Sequence, residues 1–226
     1  MDWRSFEDAS TGAREAAAFI ASQLRQAVEE RGRATFAISG GSTPWDMFER
    51  LAAEDVPWTE LQIVQVDERI VPLDHEARNW AAFLENPLAS RMPQINCHAM
   101  PVDLEEIEAA IKEYRSTLTD IAGDPPVLDV VHLGIGEDGH TASLFGGDPL
   151  LDERERLVGA SRPYEGHRRM SLTLPVLNDA RCVVWFAPKS PRDILERLRK
   201  DDTSIPAGRV RRDRAVVFAH RDPPFR

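Results

Sequence analysis

Cysteine is scarce: there are two in 226 residues, Cys97 and Cys182, and neither sits in a CxxC pair. That usage excludes a disulfide scaffold and points to free thiols in a reducing cytosol. Basic charge is also short, with 28 Lys and Arg against 38 Asp and Glu, a formal net charge of -10 and a pI near 5.1. Binders of nucleic acid or anionic membrane need a basic face, so both classes are set aside. A small anion remains open as a ligand, because a local arginine cluster can hold one inside an acidic protein. No stretch approaches the roughly 20 apolar residues of a membrane span. The opening MDWRSFEDAS lacks the basic start and apolar segment of a signal peptide. A soluble, cytoplasmic protein with no nucleic-acid or membrane partner is expected. Metal-site patterns are missing too: His132 and His140 are eight apart, His75, His98, His167 and His220 are scattered, and no helical HxxxH or Cys/His pairing occurs. Internal repeats and low-complexity segments are absent, and the length suits a single domain over residues 1–226 with a sizeable core.

What is present is organised around residues 127–145, VLDVVHLGIGEDGHTASLF. A run of β-branched residues and leucine bounded by glycine reads as a buried strand of a parallel sheet. The glycine-rich turn after it delivers Asp138 and His140, at the end of a strand where open parallel sheets bind ligands. Upstream, apolar residues recur at helical spacing over 11–31 (Ala17, Ile20, Ala21, Leu24, Val28) and stop at Gly32. ATFAI at 34–38 reads as a buried strand running into Ser39-Gly40-Gly41-Ser42-Thr43, with Thr43 as N-cap and Pro44 as first residue of a helix. Glycines, hydroxyls and a helix N-terminus are the ingredients of a phosphate cradle, although the absence of a following lysine excludes a Walker A loop.

A strand at 61–66 ends in Asp67-Glu68-Arg69, followed by a polar loop with Arg78 and Asn79 and a helix over 80–88. Polar groups suited to a sugar phosphate therefore follow two successive strands. A second amphipathic helix is expected over 101–121 (Leu104, Ile107, Ile111, Tyr114, Leu118), strands at 157–160, 170–174, 182–187 and 215–219, and a helix at 193–200. Strands alternating with helices indicate an α/β sheet covered on both faces. The literal GxGxxG at 134–139 is not a dinucleotide fingerprint, because Glu137 and Asp138 would set negative charge beside a pyrophosphate.

Residues 38–44, the Val66-Asp67-Glu68-Arg69 run with Asn79 downstream, and 134–145 together resemble the 6-phosphogluconolactonases, a family grouped with the glucosamine-6-phosphate deaminases/isomerases. Residues 169–175 are similar to the family's later arginine-bearing strand, and the likeness runs from about residue 10 to 219. The deaminase pattern carries a glutamate for proton transfer where this chain has Phe145, so the resemblance implies the lactonase branch. Gly146 stands where the family usually has proline, and Phe186-Ala187-Pro188-Lys189 where a Gly-x-x-Lys turn is common.

The resemblance implies a three-layer α/β/α fold with a mostly parallel, Rossmann-like sheet. It implies hydrolysis of 6-phospho-D-glucono-1,5-lactone to 6-phosphogluconate with no metal and no cofactor. His140 is the expected general base, since imidazole titrates near pH 6.5. Asp138 or Asp67 orients it or binds sugar hydroxyls. The expected substrate and phosphate ligands are Ser39, Gly40, Gly41, Ser42, Thr43, Arg69, Asn79, Gly136, Arg169 and Lys189. A sugar-phosphate isomerase or deaminase is the first alternative. The second, a non-catalytic sugar-phosphate sensor, is disfavoured by the lack of a DNA-binding segment before Thr11. Monomer and homodimer are both compatible with the sequence.

Overall fold

The computed structural model describes residues 1–41, 43–103 and 105–221. Ser42, expected in the phosphate turn, and Leu104, expected in a helix, lie outside the described residues. The elements run β1 (Asp2–Phe6), α1 (Ala9–Arg31), β2 (Ala34–Ile38), α2 (Trp45–Ala52), β3 (Leu61–Gln65), β4 (Asp67–Arg69), α3 (Asn79–Glu85), β5 (Cys97–His98) and α4 (Ile107–Ala122). They continue with β6 (Val130–Leu133), β7 (Val158–Ala160), β8 (Arg169–Leu172), α5 (Leu174–Asp179), β9 (Cys182–Ala187), α6 (Arg192–Arg199) and β10 (Ala215–His220).

Seven strands form one sheet in the order β1-β10-β9-β6-β2-β3-β5, every neighbouring pair parallel. Alternate residues feed two cores, as strands buried on both faces require. Along β9, Cys182, Val184 and Phe186 face the core built with α1, α2 and α3, while Val183, Trp185 and Ala187 face the core built with α4, α5 and α6. This is the three-layer arrangement expected. From β2 the chain moves outward through α2 to β3 and β5, then returns after α4 to β6 on the other side of β2. The strand order therefore reverses between β6 and β2, and the crevice beyond their carboxyl ends is where such sheets bind ligands.

A second, antiparallel sheet in the order β4-β8-β7 sits at that end. Val66 joins the two: its N–H donates to Ile38 O and its carbonyl accepts from Leu172 N–H, both at 2.8 Å. The chain leaves the large sheet at Gln65 and enters the small one at Asp67, so the polar run after β3 is a strand rather than a loop.

Several boundaries differ from the sequence reading. Thr43 is not the N-cap of α2; Pro44 takes that place with φ -83° and ψ -11°, and its carbonyl accepts from Phe48 N–H at 2.9 Å. The ring's fixed φ starts the helical turn without a side-chain cap. The helix expected from residue 101 begins at Ile107, after a turn that places Val102 in the core. Leu174, read as the end of a strand, opens α5 with a proline at its second position, a place proline favours. The edge strand β1 was not foreseen, because only Phe6 of its five residues is buried and no alternation marks it.

Candidate active site

The loops leaving β2, β6 and β9 and the strands β4 and β8 surround a cleft of about 480 Å³. His140 reaches it from a loop that folds on itself after β6. Gly136 N–H donates to His140 O at 2.9 Å and Gly139 N–H donates to Gly136 O at 3.0 Å, so the glycine-rich segment closes a turn instead of entering a helix. Gly136 is needed there for space: a Cβ on it would lie 2.2 Å from His140 Nδ1. The missing side chain thus gives the His140 ring its place. Gly136→Ala is expected to lower kcat about 10²-fold with little change in Tm, since the methyl displaces a side chain and not the backbone. Steady-state kinetics beside a thermal melt check this.

Of the two candidate aspartates, Asp138 is the one in contact with His140. Asp138 Oδ1 lies 2.6 Å from His140 Nδ1 and accepts the His140 backbone N–H at 3.0 Å. Partial burial alone would raise the Asp138 carboxyl, but those hydrogen bonds and the neighbouring imidazole outweigh it and hold it below the ordinary carboxylate range. A carboxylate only accepts, so this contact favours the tautomer with the proton on Nδ1, which leaves Nε2 with the free lone pair. Asp67 lies elsewhere in the cleft wall, 6% exposed, accepting the Ser143 hydroxyl at 2.6 Å.

Two of the cationic side chains come from the small sheet. Arg69 and Arg169 are directly paired across β4 and β8, and both line the cleft. Like charges directly opposite on a ladder are destabilising, and the nearby Asp67 and Glu165 carboxylates offset part of that repulsion at Arg169. Arg169 is 5% exposed, and burial first, then Arg69, hold its guanidinium below the usual arginine value. The Nε of each arginine is buried without a hydrogen-bond partner among the described residues. Arg69 donates to Ala77 O at 2.7 Å, and Arg169 Nη2 donates to the exposed Glu165 carboxylate at 3.4 Å. Lys189 is an exposed member of the same cleft, after β9.

The turn after β2 forms the facing wall. Gly41 has φ +96°, and a Cβ on Gly40 would lie 2.1 Å from Asn79 Cγ, so glycine is required at both positions. Ser39 Oγ lies 3.0 Å from Nδ1 of His132, whose burial pulls its pKa down to about 3 and keeps it neutral. Ser39, Gly40, Gly41, Thr43 and Asn79 all line the cleft, and Asn79 Nδ2 donates to Asp67 O at 3.2 Å. Glu68, between two cleft residues, serves the fold instead. Fully buried, it accepts from the N–H groups of Arg69, Asn79 and Trp80, each at 2.8 Å, and caps the start of α3.

Sequence reasoning missed Tyr164. It leaves a turn before β8, stacks on Phe145 with centroids 4.0 Å apart, and lies 5.3 Å from the His140 ring. Arg169 sits over both aromatic rings, 5.3 Å from Phe145 and 5.2 Å from Tyr164. His140 is itself 5.0 Å from Phe145. His140 and the buried arginine thus share one aromatic stack, with no ionisable group at position 145.

A family model described as glucosamine-6-phosphate isomerases/6-phosphogluconolactonase matches residues 7–218. The chain is 35% identical over 175 residues to a 6-phosphogluconolactonase from Synechocystis sp., covering 74% of this chain and 71% of that protein. It is 35% identical over 195 residues to the 6-phosphogluconolactonase of Rattus norvegicus, covering 80% and 74%. A crystal structure of a 6-phosphogluconolactonase from Shewanella baltica superposes with a TM-score of 0.84 at 28% identity, covering 97% of each chain. Fold, motifs and relatives agree, and the chain belongs to the family of glucosamine-6-phosphate isomerases and 6-phosphogluconolactonases.

Proposed function

We propose that the protein hydrolyses 6-phospho-D-glucono-1,5-lactone to 6-phospho-D-gluconate, with His140 as general base. One observation carries the reading beyond the names of its relatives: a carboxylate-bound imidazole shares an aromatic stack with a buried arginine that lacks a strong anionic partner. Such a site suits a neutral electrophile tethered to a phosphate. His140 Nε2 takes a proton from water while the water oxygen bonds to C1. The tetrahedral intermediate then collapses, the bond from C1 to the ring oxygen breaks, and that oxygen recovers the proton from the imidazolium. No oxidation state changes, and no redox carrier enters the balance. Arg69, Arg169, Lys189 and the Ser39–Gly41 and Thr43 backbone hold the phosphate, so that its binding sets C1 beside the base. Asp67 and Asn79, on the same wall, are assigned to the sugar hydroxyls. Cytoplasmic residence is part of this reading, supported by Cys97 and Cys182 being free thiols.

Glu165 Oε2 lies 3.4 Å from Arg169 Nη2, where it competes with a phosphate for the same guanidinium. Its side chain is 73% exposed, so the competition is weak. Glu165→Gln is therefore expected to lower KM about two- to fivefold with kcat unchanged; a raised KM in initial-rate measurements contradicts the assignment. The proposal as a whole is tested by two assays on the wild-type protein. Lactone generated in place should give 6-phosphogluconate, read by an excess of the dehydrogenase that consumes it, well above the spontaneous rate. Glucosamine 6-phosphate should release no ammonia, because Phe145 offers no group for the proton transfer that deamination needs. Ammonia release without lactone turnover would reverse the choice between the two branches. Saturable 6-phosphogluconate binding with neither activity would leave a sensor.

A further inference from the structure

We propose that Tyr164 is a positioning residue of this site, its hydroxyl holding the Asp138 carboxylate against His140. The inference rests on the reading of His140 as base. Asp138 has two oxygens, and His140 uses only one of them. The other, Oδ2, accepts the Tyr164 hydroxyl at 3.3 Å. The Asp138 side chain is 45% exposed, and both of its bonds to His140, from the ring and from the backbone N–H, end on Oδ1, so the Tyr164 hydroxyl is what holds the second oxygen. With it, the carboxylate plane is fixed from both sides. Burial first, then the charges of Asp138 and Glu165, push the Tyr164 phenol up, which keeps it a protonated donor at neutral pH.

The backbone shows that the tyrosine is held in place. Tyr164 and His167 exchange N–H to O bonds of 2.9 and 3.2 Å around a tight turn whose central residues, Glu165 and Gly166, have φ of +48° and +83°. Two successive left-handed residues make a type I′ hairpin turn, and glutamate is an unfavourable occupant of that region. Strain of this kind persists where surrounding contacts over-determine it, and it clusters at functional sites. The stack on Phe145 and the guanidinium of Arg169 supply those contacts. The hairpin therefore ties the base to the phosphate anchor: one residue touches Asp138 and the next touches Arg169.

Tyr164→Phe separates this role from packing, because it keeps the ring and removes the hydroxyl. Expected are a kcat lowered roughly 5- to 20-fold and a KM within about twofold of wild type, the pattern of an interaction that serves the chemical step. The acid limb of the pH–rate profile should move to higher pH. Asp138, relieved of a donor that shared its charge, then favours the imidazolium more strongly. The other charges around the ring, Glu137 beside it, Asp67 and Arg69 on β4, and Arg169, Glu165 and Lys189 across the cleft, are the same in both proteins. A readout independent of turnover is hydrogen exchange of the His140 Nδ1 proton by NMR, expected to quicken in the variant. An unmoved acid limb together with unchanged exchange overturns the proposal. Failure of the underlying reading looks different: His140→Ala would then keep its activity, whatever the exchange rate in Tyr164→Phe.

Discussion

His140→Ala is expected to lower kcat for the phosphorylated lactone by about 10²- to 10⁴-fold, the scale of losing a general base. The reason lies in the geometry at both ends of the ring. Nδ1 is committed to Asp138 at 2.6 Å, and the ring is packed 5.0 Å from Phe145 and 5.3 Å from Tyr164, which leaves Nε2 as the basic atom. Alanine removes the base and leaves both anchors in place, so KM should change far less than kcat. The lactone opens spontaneously, so the rate without protein must be subtracted, and the residual rate of the variant measures what positioning alone contributes. Asp138→Asn should lower kcat less. An amide can still approach Nδ1, but it can present its NH₂ there and favour the wrong tautomer. Although burial opposes them, its hydrogen bonds and the neighbouring imidazole hold the Asp138 carboxyl below its ordinary range, so it stays ionised at neutral pH.

The second large effect is on binding. Arg169→Ala should raise KM for the phosphorylated lactone roughly 10- to 100-fold, the value of a charge-assisted hydrogen bond lost in a buried setting. At 5% exposure, with its Nε unpartnered among the described residues and a second guanidinium opposite it in register, Arg169 is the side chain the proposed function assigns to the phosphate dianion. Truncation also uncovers the Phe145 and Tyr164 rings, so some loss of kcat is expected from the loosened stack. Two controls isolate the charge. Arg169→Lys keeps the cation and loses the planar fork, and should recover part of the affinity. Unphosphorylated gluconolactone has nothing for the arginine to hold, and its weak turnover should keep an unchanged KM in every Arg169 variant.

Much of this site is legible in the sequence where chemistry and local structure coincide. β2 and the start of β9 are dense apolar runs, and their bounds agree with the expected ones. The residues that must leave the sheet are marked by glycine, as in Gly40, Gly41 and Gly136, because only glycine fits the close approaches and the left-handed turn there. What the sequence hides is contact between distant segments. Tyr164 meets Asp138 across 26 positions, and no periodicity or motif announces it. Glu68 sits in the same charged run as Asp67 and Arg69, yet its burial as the cap of α3 depends on a loop folding back eleven and twelve residues later. Likewise β4 consists of Asp67, Glu68 and Arg69, with no apolar residue to signal a strand. It is a strand because β8 arrives beside it, and the pairing of Arg69 with Arg169 follows from that register.

The central claim is that the His140 cleft hydrolyses a phosphorylated sugar lactone. Its most direct measurement is the disappearance of 6-phospho-D-glucono-1,5-lactone followed in real time by NMR, with wild-type protein, with His140→Ala, and with buffer alone. The account predicts rapid, catalytic loss of the lactone with matching appearance of 6-phosphogluconate for the wild type, and a time course close to buffer for the variant. Equal acceleration by wild type and variant, or a wild-type time course that follows buffer, would contradict it.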